Sequence, residues 1–180
     1  LEAYYAFVKK IVVALNKVCL DYAFTGALAI SFYGVPRTTS DIDVIISVAD
    51  ETNVKPELLE ALRLAGFTID ERKIDMALNS GFRIATFKDK TSPYSIDIIF
   101  MDRFEKRVGK IAGLDTFFQS PEGLIAAKLR MIKATVPPER TAKDKADIKS
   151  ILAFTKVDIE AVKRQARKDN TLEVFEAIIP

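Results

Sequence analysis

A mixed β-sheet with flanking helices, followed by an all-helical tail, is the α/β (α+β) fold class that this 180-residue sequence predicts. Three observations carry that expectation. Up to about residue 118, short apolar runs of strand length alternate with segments whose apolar residues recur every three or four positions. Residues 82–88 and 94–100 flank Asp89-Lys90-Thr91-Ser92-Pro93 as the two arms of a hairpin would. From Ser120 onward only helical spacing remains. The chain therefore divides into a core over residues 1–118 and a helical subdomain over residues 119–180, packed on that core.

The elements follow in order. Residues 3–20 read as an amphipathic helix, with Phe7, Ile11, Leu15 and Val18 on one stripe. Tyr22-Ala23-Phe24 is a short strand. Gly26 turns the chain into a brief helix through Leu28, Ile30 and Phe32 that ends near Gly34 and Pro36. Residues 41–47 are a strand, apolar almost throughout and so expected to be buried on both faces. Residues 56–65 form a helix with Pro56 near its start and Gly66 just past its end. A short strand is expected over 67–70, a short helix or loop over 71–80, a helix over 103–110, and a strand or loop over 111–118. In the tail, Ser120-Pro121-Glu122 opens a helix that runs to about Ala134 and is stopped by Pro137-Pro138. Residues 139–154 make the second helix, 158–168 the third with Asp158 as N-cap, and 172–178 a short last one.

Composition narrows the chemistry. The apolar fraction of 49% against 29% charged residues is that of a chain able to bury a core rather than a disordered one. No apolar run approaches the roughly 18 residues a membrane span needs, and Lys9, Lys10 and Lys17 interrupt the first twenty residues, against a signal peptide. The single Cys19 falls among apolar residues and reads as a core thiol of a cytoplasmic protein. Histidine is absent, which excludes histidine triads, histidine bases and histidine metal sites together. Any metal must be held by oxygen, which favours Mg²⁺, Mn²⁺ or Ca²⁺ over zinc. Residues 121–170 carry 12 basic against 7 acidic side chains, whereas residues 1–120 carry 15 against 16. A basic second part beside an acidic site suits a polyanion or nucleotide binder, and equally a solvated helical face.

Asp41 and Asp43 stand at the start of the 41–47 strand, two residues apart and therefore on one face. Asp97 sits in the middle of the apolar run Ile96-Asp97-Ile98-Ile99, where a carboxylate needs a partner. If the two strands pair, the three acids converge, and such a set holds divalent cations for attack on a phosphate. The plainer reading of Asp-x-Asp is a strand-end cap facing Lys or Arg. Thr25-Gly26 offers a glycine between strand and helix, where backbone N–H groups can approach a phosphate. Arg37 and Thr39 flank the carboxylates, Arg37 as a phosphate ligand or as the neutraliser of an aspartate. In the tail, Lys128 lies within the stripe of Leu124, Ile125, Leu129, Met131 and Ile132. Asp144 lies within that of Ile148, Ile151, Leu152 and Thr155, with Arg140 and Asp147 at its edge. Lys128 and Asp144 thus read either as a buried ion pair or as part of a site.

The series Gly26-Ala27, Gly34-x-x-Arg37-x-Thr39-x-Asp41-Ile42-Asp43-Val44 and later Asp97 resembles the nucleotidyltransferase fold of the DNA polymerase β superfamily. Its Arg-x-Thr-x-Asp-Ile-Asp form, with Ser-Pro-Glu-x-Leu-Ile-x-x-Lys and Arg-x-x-Lys-Asp-x-x-Asp-Ile in the tail, resembles the minimal nucleotidyltransferases related to AbiEii-type toxins. The resemblance implies Mg²⁺ (or Mn²⁺) on Asp41, Asp43 and Asp97, and the triphosphate of an NTP on the Thr25-Gly26-Ala27 turn, with Arg37, Thr39 and Lys128 beside it. It makes Asp41, Asp43, Asp97, Lys128 and Asp144 the catalytic set. Ala27 departs from the family's Gly or Ser, keeping the backbone N–H and losing the hydroxyl. The expected activity is transfer of a nucleoside monophosphate from an NTP to the hydroxyl of an acceptor such as tRNA, protein or a small molecule, with release of pyrophosphate. The alternative is a catalytically silent member that binds nucleotide or nucleic acid, as one half of a pair with a small antitoxin-like partner.

Overall fold

The computed structural model describes residues 2–34, 36–37, 39–49, 53–134 and 137–179 of the chain. The chain divides into two compact units, Leu1–Leu28 with Thr38–Gln119, and Ala29–Arg37 with Ser120–Pro180. Helix α2 (Gly26–Phe32) begins in the first and ends in the second.

Among the described residues the first unit holds a six-stranded mixed sheet, so the expected fold class is the observed one. Its strands are β1 (Tyr22–Phe24), β2 (Asp41–Ser47), β3 (Ile84–Lys88), β4 (Ser95–Met101), β5 (Lys106–Ile111) and β6 (Leu114–Gln119), in the order β3-β4-β2-β1-β6-β5. β2 is antiparallel to β1 and parallel to β4. Helices α1 (Glu2–Leu15) and α3 (Val54–Leu64) bring Ile11, Leu15, Leu58 and Leu62 around Ile96 and Ile98 of β4. Ile42, Val44 and Ile46 of β2 are also fully buried. Alternation is what separates core from site: on β4, Ile96, Ile98 and Phe100 are buried while Ser95, Asp97 and Ile99 are partly exposed. On β2, Asp41 is exposed and Asp43 partly so, and burial on both faces begins only at Val44.

Three local expectations are corrected. Residues 106–111 are strand β5, not helix: Phe104, Val108 and Ile111 have helical spacing, but Gly109 disfavours a helix and pairing with β6 supplies the backbone partners. The two strands meet at Ala112 and Gly113, both at positive φ (49° and 81°), the backbone of a two-residue hairpin turn. The run 67–70 pairs only through an isolated bridge between Phe67 and Asp89, and Asp70 instead caps α4 (Glu71–Asn79) by accepting from the Arg72 N–H. Helix α1 ends at Leu15, so Cys19 lies beyond it on the connection to β1, exposed rather than in the core.

A half-buried ion pair ties α1 to the β3–β4 loop. Lys10 Nζ donates to Asp89, and its ammonium also lies 5.3 and 5.7 Å from the ring centres of Phe7 and Phe67. Asp89 accepts further from the hydroxyls of Thr91 and Ser92, so its buried carboxylate is fully hydrogen-bonded.

The second unit contains α5 (Pro121–Lys133), α6 (Pro138–Phe154), α7 (Ile159–Lys168) and α8 (Leu172–Glu176). Ser120 caps α5 by accepting from the Gly123 N–H, and Asp158 caps α7 by accepting from that of Ala161. Leu124, Ile125, Leu129, Ile148, Ile151, Val162, Ala166 and Phe175 are among its buried apolar residues. Met131, expected on the buried stripe, is 37% exposed, and the buried residues of α5 end at Leu129. No helix among the described residues is long and apolar enough to cross a membrane.

Candidate active site

The parallel register of β2 and β4 sets Asp43 directly beside Asp97 and Asp41 beside Ser95. Neighbouring strands are about 4.8 Å apart, so Asp43 and Asp97 present two carboxylates side by side on one face, with Asp41 one step along it. The surrounding groups are hydroxyls. Ser95 Oγ donates to Asp41 Oδ1, Ser40 Oγ to Asp41 Oδ2 at 3.3 Å, and Thr86 Oγ1 to Asp97 Oδ1 at 2.6 Å. Among the described residues neither Asp41 nor Asp97 has an ion-pair partner. At Asp41, the first acid of the Asp-x-Asp pair, the partners are hydroxyls and not the Lys or Arg of the strand-end reading.

The turn before them is fitted to Asp43. Gly26 has φ +57°, and a β-carbon there would overlap Asp43 Oδ2 and lie 2.8 Å from its Cγ. Both the backbone conformation and the close approach of a carboxylate require glycine. The Thr25 N–H donates to Asp43 O at 3.0 Å, and Thr25 Oγ1 donates to the side-chain oxygen of buried Gln119. Thr39 Oγ1 accepts from the Asp41 N–H and donates to Asp41 O, bracing the strand's first residue. The side chains of Thr25 and Thr39 thus shape the backbone that carries the acids, and Ala27 opens α2 behind Gly26.

In the second unit Lys128, Asp144 and Arg37 come together with a fourth residue, Asp147. Lys128 Nζ is 2.7 Å from both Asp144 Oδ1 and Asp147 Oδ2. Arg37 pairs with Asp147 Oδ1, an acid of α6, rather than with Asp41 or Asp43. Ser31 Oγ accepts from the Arg37 N–H at 3.0 Å. The group is closely buried, with side chains 13% exposed at Lys128, 9% at Asp144 and 1% at Asp147. Two cations balance two anions. Burial pushes the Lys128 ammonium below its usual lysine value, the contact with Asp144 pulls it back up, and the charges of Arg37 and Lys143 add to the lowering. Asp144 Oδ2, Asp147 Oδ2 and Arg37 Nε have no hydrogen-bond partner among the described residues.

A divalent cation is tested against the first group by its donors. The side-chain partners of Asp41 and Asp97 are hydroxyl oxygens, and the register partners Asp43 and Asp97 carry like charges side by side, an arrangement that a hard cation relieves. That donor set fits Mg²⁺ or Mn²⁺. Among the described residues, however, no group of three or more acidic or thiol side chains is gathered tightly enough to hold an ion unaided.

Asp147 stands in the tail motif and at the edge of the α6 stripe but received no role from the sequence, and Ser95 and Thr86 were passed over. Asp147 had a signal, since it lies three residues from Asp144 and so on the same side of a helix. Ser95 had the period-2 spacing to Asp97. Thr86 had none, because only the hairpin register reveals it.

Comparisons with known proteins give the family and the fold. The sequence pattern of the family described as "Nucleotidyltransferase of unknown function (DUF6036)" matches residues 8–178. No curated protein matches the chain. The structure is similar to the antigenic nucleotidyltransferase-like protein from Paracoccidioides brasiliensis, with a TM-score of 0.59 at 15% identity over 96% of this chain and 91% of that one. It is also similar to the antibiotic-resistance factor ANT(2'')-Ia. The solution structure of that factor gives a TM-score of 0.63 at 15% identity, covering 98% of this chain and 96% of that one. A crystal structure in complex with adenylyl-2''-tobramycin gives 0.65 at 16%, covering 93% and 97%. At such identities the likeness is one of fold. With a sheet that aligns Asp43 with Asp97 and a sequence match over nearly its whole length, the chain belongs to this family of nucleotidyltransferases.

Proposed function

We propose that this protein is a Mg²⁺- or Mn²⁺-dependent enzyme that transfers a nucleoside monophosphate from an NTP to an acceptor hydroxyl, releasing pyrophosphate. The observation that carries the reading is the Asp43–Asp97 register pair with Asp41 on the same face, partnered at Asp41 and Asp97 by hydroxyls rather than cations. Asp41, Asp43 and Asp97 would hold the metal, which when bound offsets negative charge on the reacting phosphate. The α-phosphorus exchanges its bond to the bridging oxygen for one to the acceptor oxygen, and the acceptor's proton must leave. Asp97 is suited to take that proton. Its Oδ1 accepts from Thr86, which fixes the orientation of the carboxylate. The backbone of the Thr25-Gly26-Ala27 turn, itself shaped by Asp43, is the proposed seat of phosphate. Lys128 is proposed as a phosphate ligand, for which phosphate oxygens would compete with Asp144.

The experiment is incubation of the protein with labelled NTPs and Mg²⁺ against three acceptor classes: tRNA, protein, and tobramycin as the kind of compound the ANT(2'')-Ia complex contains. Label transfer to any class, lost in Asp43→Asn, is the expected result. Label retained in Asp43→Asn overturns the mechanism.

A second reading has one observation in its favour. The described residues hold no ready three-acid metal group, and Ala27 supplies no hydroxyl to a phosphate. A silent nucleotide-binding member, the form a pairing with a small antitoxin-like partner would take, binds Mg²⁺·NTP in calorimetry without turnover on any acceptor. The AbiEii-like sequence features of the tail belong with this reading and with the first alike.

A further inference from the structure

The residue left without a role above is Asp147. Its side chain is 1% exposed, the most deeply buried member of the four-residue group formed by α5, α6 and the loop after α2. Each of its oxygens faces a different cation, Oδ1 the Arg37 guanidinium and Oδ2 the Lys128 ammonium at 2.7 Å. Asp147 Oδ2 meets Lys128 as an ion pair without a hydrogen bond, whereas Asp144 has one oxygen hydrogen-bonded to Lys128 and the other, Oδ2, buried with neither a hydrogen bond nor an ion pair among the described residues. The two acids are therefore not equivalent. Asp144 has an acceptor atom to spare for an incoming donor, whereas Asp147 is committed on both sides to protein cations.

We propose that Asp147 is a positioning residue: it fixes Arg37 and Lys128 together and presents the Lys128 ammonium, with Asp144 as its exchangeable partner, to a phosphate-bearing ligand. The presentation of phosphate rests on the nucleotide reading above; the hold on Lys128 does not. A cation shared between two buried carboxylates can surrender one to a phosphate oxygen and remain neutralised by the other. Asp147 is the carboxylate that stays, since its second oxygen is held by Arg37. The charged groups around Lys128 are Asp144, Asp147 and Lys143 of α6 and Arg37 of the loop after α2. Each makes a signed contribution, and that gives the test.

The measurement is the titration midpoint of Lys128 in ¹³C-lysine-labelled protein, its signal assigned with Lys128→Arg. Asp147→Asn keeps the shape and removes the charge, and should lower the midpoint by about one pH unit or more. Asp147→Glu should bring it back toward the parent value. Arg37→Gln frees Asp147 for Lys128 and removes a like charge, so the midpoint should rise. Opposite shifts in two variants are not what loss of a merely structural contact produces. A midpoint unchanged in folded Asp147→Asn overturns the proposal. Should that variant not fold, an unchanged midpoint in Arg37→Gln does so. In parallel, calorimetry of Mg²⁺·ATP should show at least tenfold weaker binding to Asp147→Asn than to the parent. If the parent itself binds no Mg²⁺·ATP, the nucleotide reading fails, and with it the phosphate half of the proposal, while the midpoints still decide the hold on Lys128.

Discussion

The carboxylate of Asp43 occupies the space that a side chain at residue 26 would need, so Gly26 and Asp43 are fitted to one another. The fit places the turn between β1 and α2 directly against a carboxylate of the acidic face. Glycine there serves Asp43 whatever else it serves. Gly26→Ala should cost about 2–4 kcal/mol, combining a left-handed backbone with the overlap. It should also displace Asp43. Thermal unfolding checks the first effect. Mn²⁺ binding followed by electron paramagnetic resonance checks the second, and should weaken even at temperatures where the variant is folded.

Asp97 illustrates a site that opposes stability. With no ion bound, the like charges of the register partners Asp43 and Asp97 destabilise the sheet locally. Asp97→Asn keeps an acceptor for the Thr86 hydroxyl and removes the repulsion. The variant should melt higher than the parent without divalent metal, by about 0.2–1 kcal/mol. With Mn²⁺ the order should reverse, because ion binding stabilises only the parent to a useful degree. Melting curves with and without metal show both.

How far the sequence could be read depended on whether period or partner decided the outcome. The acidic face was legible because alternation alone places Asp41 and Asp43 together, and an aspartate inside Ile96–Ile99 demands a partner. Lys128 and Asp144 were legible because helical spacing put each on an apolar stripe. Asp147 sat at the edge of that stripe, and its burial follows from Arg37, 110 residues distant in the chain. Strand β5 was missed because its partner β6 and the Ala112-Gly113 turn define it, while its own residues carry no alternation. Cys19 was misplaced because the helical stripe was extended past Leu15, where the hydrogen-bonded helix ends.

The β5–β6 turn carries an avoidable strain. Ala112 holds φ at 49°, a region that costs an L-residue about 1–2 kcal/mol. Ala112→Gly should relieve it and return part of the gain as unfolded-state entropy, for a net stabilisation of about 0.5–1 kcal/mol. Denaturant unfolding at constant slope is the check.

Acid should act through Asp89. Burial alone would raise its carboxyl, but hydrogen bonds from Lys10 and Ser92, the Lys10 charge and Thr91 outweigh that and hold it below the ordinary carboxylate value. A lowered folded-state value means that the stabilisation is complete above the unfolded value of about 3.9 and is lost as pH falls through the folded-state value. Asp89→Asn should be less stable at pH 7 by about 1–3 kcal/mol, and its stability should fall less steeply than the parent's below pH 4. Urea unfolding at a series of pH values measures both.

The buried group on α5 and α6 separates stability from function. Lys128→Met removes one cation and leaves Asp144 and Asp147 with Arg37 alone, an uncompensated buried charge that should cost about 3–5 kcal/mol. Lys128→Met with Asp144→Leu removes a neutral pair and leaves Arg37–Asp147 intact, so most of the lost stability should return, as buried ion pairs replaced by apolar groups commonly allow. Nucleotide affinity should not return with it, because the ammonium proposed to meet phosphate is absent from both variants. Urea unfolding beside Mg²⁺·ATP calorimetry on the single and double variants therefore reads two different quantities. Recovery of stability without recovery of binding assigns Lys128 to the ligand. Recovery of both would make the pair a structural contact and nothing more.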